Sequence, residues 1–213
     1  MAKFLRTFIF LFILQPLVRV ILGLRVENGQ ALPTQGPAII AANHNSHIDT
    51  MVLMALFPLR CLPKLRPVAA ADYWMSNRWI TWFSRKIVRI VPINREGTEK
   101  GVDPLEASYA ALAEGSILIF FPEGSRGEPE KLSDFKPGIT LLAERFPEAP
   151  VIPVYLYGLG KVWPKGAGLV VPFFCHVLVG EPMYWEGQRL GFMRRFKASM
   201  KQLAAQGDFP VWQ

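Results

Sequence analysis

The chain has 213 residues, enough to bury one substantial core, and 51% of them are hydrophobic against 19% charged, a balance that excludes a disordered chain and leans toward a membrane partner. Its formal net charge of +7 suits an anionic surface, either nucleic acid or the face of a lipid bilayer. Cys61 and Cys175 stand far apart with no CxxC pair, and the histidines are only His44, His47 and His176, so neither a disulfide framework nor a histidine-rich metal centre is indicated.

Residues 4–24, FLRTFIFLFILQPLVRVILGL, are almost entirely apolar, and a helix of that length reaches ~30 Å. Arg6 and Arg19 flank its most apolar part, and Gln15-Pro16 interrupt it. The uncharged stretch 7–18 is twelve residues long, short of the ~20 a bilayer span needs. No small-residue cleavage site precedes Arg25, so removal as a signal peptide is not expected. The segment reads as an anchor dipping into one leaflet, with Arg19 and Arg25 snorkelling to phosphate headgroups. A single span is the alternative, and a soluble core helix fits least because apolar residues surround it on all sides. This divides the chain into a membrane-associated helix over 1–27 and one domain over 28–213, joined by a Pro/Gly-bearing link at 28–36.

Beyond the link, short apolar runs rich in β-branched residues predict strands over 38–42, 67–70, 87–93, 116–121, 151–157 and 169–178. Helical patterns fall between them, over 46–56, 74–84, 104–114, 138–145 and 191–205. Strands alternating with helices predict an α/β fold, a largely parallel central sheet flanked by helices. Ligands gather at the carboxyl ends of such strands. AIIAANHNSHID puts His44 just past one strand, and ILIFFPEGSRG puts residues 123–126 just past another.

His44 and Asp49 suit acyl transfer to an alcohol. The hydroxyl proton must leave as its oxygen attacks a carbonyl carbon, and imidazole serves as base near neutral pH. Asp49 can orient the ring by accepting from one nitrogen and stabilise the imidazolium that forms. On a regular helix the two would lie about 140° apart, so His44 is expected in the strand-to-helix loop and Asp49 in the first helical turn. A blander reading is open as well: Ser46-His47-Ile48-Asp49 has the form of a capping box, in which Asp49 would merely cap the helix. His44, His47 and Asp49 could also meet at a metal, although no fourth ligand is suggested.

In Phe121-Pro122-Glu123-Gly124-Ser125-Arg126, Gly124 permits a tight turn, Ser125 can donate a hydrogen bond and Arg126 can grip phosphate at two points. A turn that merely exposes charge is the alternative for this loop alone.

Together the two motifs resemble the glycerolipid acyltransferase family, whose best-known members convert lysophosphatidate to phosphatidate. The family's first motif, N-H-x-S-x-x-D with its H-x4-D core, is met by Asn43 to Asp49. Its third, F-P-E-G-T/S-R, is met by Phe121 to Arg126. IVPINR, ending at Arg95, matches the second motif, and VIPVYLYG the fourth. The resemblance implies an acyl-CoA or acyl carrier protein donor, no cofactor and no metal. It also implies that His44 is the general base and Asp49 its partner, with no covalent acyl-enzyme. Arg95, Glu123, Gly124, Ser125 and Arg126 would bind the acceptor headgroup, and Lys136 in DFKPG would add positive charge.

By the same resemblance the acceptor is a lysophospholipid, foremost 1-acylglycerol-3-phosphate, in phospholipid biosynthesis. The expected setting is the bacterial inner membrane, with the catalytic domain on the cytoplasmic side; a nucleic-acid partner is not expected, because the basic residues follow apolar anchors and no recognition motif appears. Ala69-Ala70-Ala71 stand where members acting on lysophosphatidate often carry a lysine, so the acceptor is less firmly implied than acyl transfer. Arg78, Arg85, Lys86, Arg89 and Arg95 run without an intervening acid and read as acceptor-binding or as a bilayer-facing surface. A lipid serine hydrolase is the nearest rival, but neither Ser46 nor Ser125 sits in a G-x-S-x-G elbow. A non-catalytic membrane adaptor would not require His44, Asp49 and FPEGSR together.

Overall fold

The computed structural model describes residues 2–18, 23–46, 48–70, 78–93, 101, 103–128, 131–162 and 175–207. Its centre is a seven-stranded sheet: β1 (Arg25–Glu27), β2 (Ala38–Ala42), β3 (Leu65–Ala70), β4 (Val91–Ile93), β5 (Ile117–Phe120), β6 (Val151–Tyr157) and β7 (His176–Val179). The spatial order is β1-β7-β6-β2-β5-β3-β4. Every pairing is parallel except β6 with β7.

All five residues of β2, all four of β5 and all seven of β6 are buried. Unbroken apolar runs of this kind belong to strands covered on both faces, which is what a parallel sheet between helical layers requires. Ala38, Ile40 and Ala42 point into one layer with Phe10, Leu14, Val52 and Leu53. Ile39 and Ala41 point into the other, with Leu112, Ile139, Phe192 and Phe196. The helices are α1 (Ala2–Ile9), α2 (Asp49–Ala55), α3 (Arg78–Phe83), α4 (Glu106–Ala113), α5 (Gly138–Arg145), α6 (Leu159–Val162) and α7 (Arg189–Gln206).

The expected strand over 87–93 is corrected. Ser84–Val88 continue α3 as a wider π-type turn, and Arg89 then adopts a left-handed conformation with φ 62, so only Val91–Ile93 are extended. The run IVRIVPI carries no glycine or proline at the break to announce it. The last expected strand falls partly outside the described residues; its described part is His176–Val179, running antiparallel to β6. The expected helix over 46–56 starts later, at Asp49. Arg25–Glu27, placed in the amino-terminal segment, forms an edge strand on β7, where Arg25 pairs with Glu27 at 3.2 Å.

The amino-terminal segment is helical from Ala2 through Val18, with a π-type stretch over Phe10–Leu14. Arg19 lies outside the described residues. Arg6, Phe10, Leu14 and Val18, four apart, turn into the protein, while Phe4, Phe8 and Phe12 stay exposed. Among the described residues no helix is long and apolar enough to cross a membrane.

Candidate active site

β2 lies between β5 and β6, with Ala41 level with Phe120 and Ala42 level with Val154. The loop leaving β2 therefore emerges between the loop leaving β5 and the end of β6. Asn43 fixes that exit. Its side-chain amide donates to the Leu156 carbonyl at 2.9 Å, and its side-chain oxygen accepts the Leu156 N–H at 2.7 Å. A fully buried side chain thus continues the ladder one step past the strand, which explains why the apolar fourth motif belongs with the first.

With the exit fixed, the chain turns back on itself and brings His44 to Asp49. His44 Nδ1–H donates to Asp49 Oδ2 over 2.9 Å. The same oxygen accepts the backbone N–H of Asn45 at 2.7 Å and of Ser46 at 2.8 Å. Asp49 is completely buried, and the His44 side chain is 21% exposed. Because the helix begins only at Asp49, with Ile48 at its N-cap and no side-chain cap bond there, the bond from Ser46 ties down the loop ahead of the helix, while the bond to His44 orients the ring. Since Nδ1 carries the proton given to Asp49, Nε2 is the ring nitrogen left to accept one. Phe121 stacks on the imidazole with ring centroids 4.1 Å apart and planes 21° from parallel, which limits rotation of the ring.

Phe121 also starts the second loop. Gly124 donates its N–H to the Phe121 carbonyl over 3.0 Å, and Gly127 donates to the His44 carbonyl over 3.0 Å. The two motifs are thereby joined by a backbone bond. Gly124 has φ +74, and a Cβ there would stand 2.9 Å from both Cδ and Nζ of Lys136. Lys136 therefore lies folded over Gly124, held by its own N–H donating to the Pro122 carbonyl at 2.8 Å.

Glu123 is buried, and among the described residues neither carboxylate oxygen completes a hydrogen bond. Burial pushes its carboxyl up to about 7, with Asp49 adding to the rise. The N–H groups of Ser133 and His44 lie near enough to favour the charged form, though without the geometry of full bonds. A Cβ on Gly127 would stand 2.6 Å from Ser133 Oγ and 3.3 Å from Glu123 Oε2, so the segment from Lys131 to Lys136 packs directly on this loop.

Of the residues singled out from sequence, His44, Asp49, Glu123, Gly124 and Lys136 gather here. Ser125 is exposed and Arg126 half-buried on the same loop. Arg95, His47 and Trp74 lie outside the described residues. The Leu156 anchor, the Phe121 ring and the tie from Gly127 to His44 were not foreseen. Asn43 directly after a five-residue apolar strand was the available signal, since an amide there can take over the pairing that the strand's end leaves open.

A family model described as Acyltransferase matches residues 23–157. The chain is 28% identical over 162 residues to the 1-acyl-sn-glycerol-3-phosphate acyltransferase of Bacillus subtilis (strain 168), covering 76% of this chain and 74% of that protein. It is 26% identical over 163 residues to the chloroplastic 1-acyl-sn-glycerol-3-phosphate acyltransferase LPAT1 of Arabidopsis thaliana, covering 76% of this chain and 44% of that one. The chain thus spans less than half the length of its chloroplastic relatives. The crystal structure of the 1-acyl-sn-glycerophosphate (LPA) acyltransferase PlsC from Thermotoga maritima superposes with a TM-score of 0.77 at 19% identity, covering all of this chain and 83% of that one, a likeness of fold. The matched region runs from β1 to the last residue of β6 and contains His44, Asp49 and the loop after β5: the chain belongs to the acyltransferase family.

Proposed function

We propose that the chain is a 1-acylglycerol-3-phosphate acyltransferase, moving a fatty acyl group from the thioester of acyl-CoA or acyl carrier protein to the free hydroxyl of the lysolipid and giving phosphatidic acid. The observation that carries this reading is the bond from His44 Nδ1 to the buried Oδ2 of Asp49 at 2.9 Å, beside a loop bearing Arg126 and Lys136. In the reaction, His44 Nε2 takes the acceptor's hydroxyl proton as the oxygen attacks the thioester carbon. The tetrahedral intermediate then expels the thiolate, and the imidazolium returns the proton to sulfur. Asp49, already bonded to two backbone N–H groups, holds the ring and stabilises the imidazolium between the two steps.

Arg126, Ser125, Lys136 and Arg95 are the groups for the acceptor phosphate, a guanidinium gripping it at two points and lysine as a point charge. The exposed Phe4, Phe8 and Phe12 of the amino-terminal helix, with Trp82 exposed and the basic Arg85 and Lys86 exposed nearby in sequence, form the surface that rests in one leaflet. On this reading the enzyme works at the cytoplasmic face of a bacterial inner membrane.

The test is turnover of His44→Ala and Asp49→Asn with acyl-CoA and acyl carrier protein donors and a panel of lysolipids. Loss of the base should lower kcat by about 10²–10⁴ with little change in Tm. Asp49→Asn keeps an oxygen for the Asn45 and Ser46 N–H groups but cannot accept both of these and the imidazole proton as an anion does, so activity should fall further than stability. Near-normal turnover by purified His44→Ala would sink the mechanism.

A further inference from the structure

β4 begins opposite Val68, whereas β5 pairs with β3 from Leu65 onward. The first three residues of β3 therefore have a strand neighbour on one side only. Three arginines from separate segments meet at this open edge, toward the opposite end of the strands from His44. Arg6, on the buried face of the amino-terminal helix, donates from Nη2 to the Leu65 carbonyl at 3.4 Å. Arg89, at φ 62 just before β4, donates from Nη1 to the Pro63 carbonyl at 2.7 Å. Arg66 is the second residue of β3 itself.

Capping the carbonyls of Leu65, the first residue of β3, and of Pro63, in the turn just before it, explains the two bonds that are made. It does not explain the remaining nitrogens. The Nε groups of Arg6 and Arg66 are both buried and, among the described residues, make no hydrogen bond. Nor, among the described residues, does any carboxylate form an ion pair with Arg6, Arg66 or Arg89. Burial and then Arg89 hold the Arg66 guanidinium below its usual range, with Glu114 opposing. Arg6 is pushed down to about 10 by burial, then by Arg89 and Arg66. Buried donors beside three like charges are costly unless an anion completes the arrangement.

We propose that Arg6, Arg66 and Arg89 form a second anion site, distinct from the acceptor site, that takes a phosphate oxyanion. The N–H groups of a guanidinium match the oxygens of a tetrahedral phosphate, and the Nε groups of Arg6 and Arg66 are the ones left to donate. Arg66 and Arg89 are only half-buried, which leaves the cluster reachable from outside. The phosphate is either free in solution or the headgroup of a membrane lipid, since the helix carrying Arg6 also presents the exposed Phe4 and Phe8.

The experiment compares the full chain in nonionic detergent with the Arg66→Gln/Arg89→Gly variant, in inorganic phosphate and in chloride at equal ionic strength. Glycine at position 89 suits the left-handed backbone, and Arg89→Gly alone serves if the double variant folds poorly. With phosphate tenfold above its Kd, the wild-type Tm should rise by about 3–5 °C and the variant's should not. The second arm is partition onto phosphatidylglycerol and phosphatidylcholine vesicles. Loss of phosphate response with unchanged partition assigns free phosphate as the ligand. Several-fold weaker partition of the variant onto both kinds of vesicle assigns a lipid phosphate. An equal phosphate response in both proteins would overturn the site, as would the absence of any response together with identical partition.

Discussion

The side chain of Asn43 and the backbone of Leu156 exchange two hydrogen bonds, of 2.9 and 2.7 Å, so the loop that carries His44 leaves the sheet already tied to its neighbour. Asn43→Ala would leave the buried N–H of Leu156 without its partner, whereas the carbonyl would keep the longer bond from Asn45 Nδ2 at 3.3 Å. One orphaned buried donor costs about 1–3 kcal/mol, which for a chain of this length lowers Tm by roughly 2–4 °C per kcal/mol. Activity should fall as well, because His44 is the next residue. A Tm within a degree of wild type would mean that the pair contributes little to holding the loop.

Glu123 gives a stability signature with a definite sign. Its carboxyl sits at 4.5 when free and is raised to about 7 in the folded protein, first by burial. The folded state therefore holds the proton longer than the unfolded chain does. Stability contributed at this position is full below about pH 4.5, falls as pH rises toward 7, and is level above that. Glu123→Gln removes this slope. The difference in Tm between Glu123→Gln and wild type should accordingly grow in the variant's favour between pH 5 and pH 8, a comparison in which the titrations of all other groups largely cancel. A difference that stays constant across that range would show that Glu123 is not held neutral by burial.

The two faces of the amino-terminal helix allow the proposed membrane contact to be tested separately from folding. Phe8 and Phe12 are 44% and 61% exposed with ring centroids 4.9 Å apart, whereas Phe10 between them is 2% exposed. Phe8→Ser/Phe12→Ser should weaken partition onto anionic vesicles about tenfold or more, each ring giving up ~1 kcal/mol or more of transfer free energy, with Tm little changed. Phe10→Ser should instead lower stability by about 3–5 kcal/mol, the usual cost of emptying a buried aromatic position. Equal partition by the doubly substituted protein would move the membrane contact to Trp82 and the basic residues around it.

What was legible in the sequence is the part written in residue type. Unbroken apolar runs gave β2, β5 and β6, and two polar motifs directly after such runs gave both loops of the site. Arg25–Glu27 escaped because all three residues are exposed, and an edge strand held only by backbone bonds to β7 leaves no apolar alternation to read. The break at Arg89 escaped because a left-handed arginine is a consequence of its surroundings, with its guanidinium held on Pro63. The antiparallel direction of β7 escaped because nothing in the residues of a strand encodes its direction. FPEGSR marks Glu123 by resemblance as an acceptor-headgroup residue, but its burial, and hence its raised pKa, depends on the segment around Ser133 packing beside it.

Gly124 and Lys136 offer the sharpest test of the loop proposed to bind the acceptor, because one constrains the other. A methyl group at Gly124 would meet the far end of the Lys136 side chain at 2.9 Å, a flexible neighbour that can swing away. Adopting φ +74 with a side chain costs about 1–2 kcal/mol, so Gly124→Ala should fold with a modest loss of stability. Its main effect should be displacement of the lysine ammonium. If Lys136 meets the acceptor phosphate equally in ground and transition states, Gly124→Ala and Lys136→Met should each raise the acceptor KM, leaving kcat and the donor KM nearly unchanged. The double variant should then be little worse than either single one, since the same ammonium cannot be removed twice. Fully additive effects would separate the two residues, and a rise confined to the donor KM would reassign the loop to the phosphates of the acyl carrier.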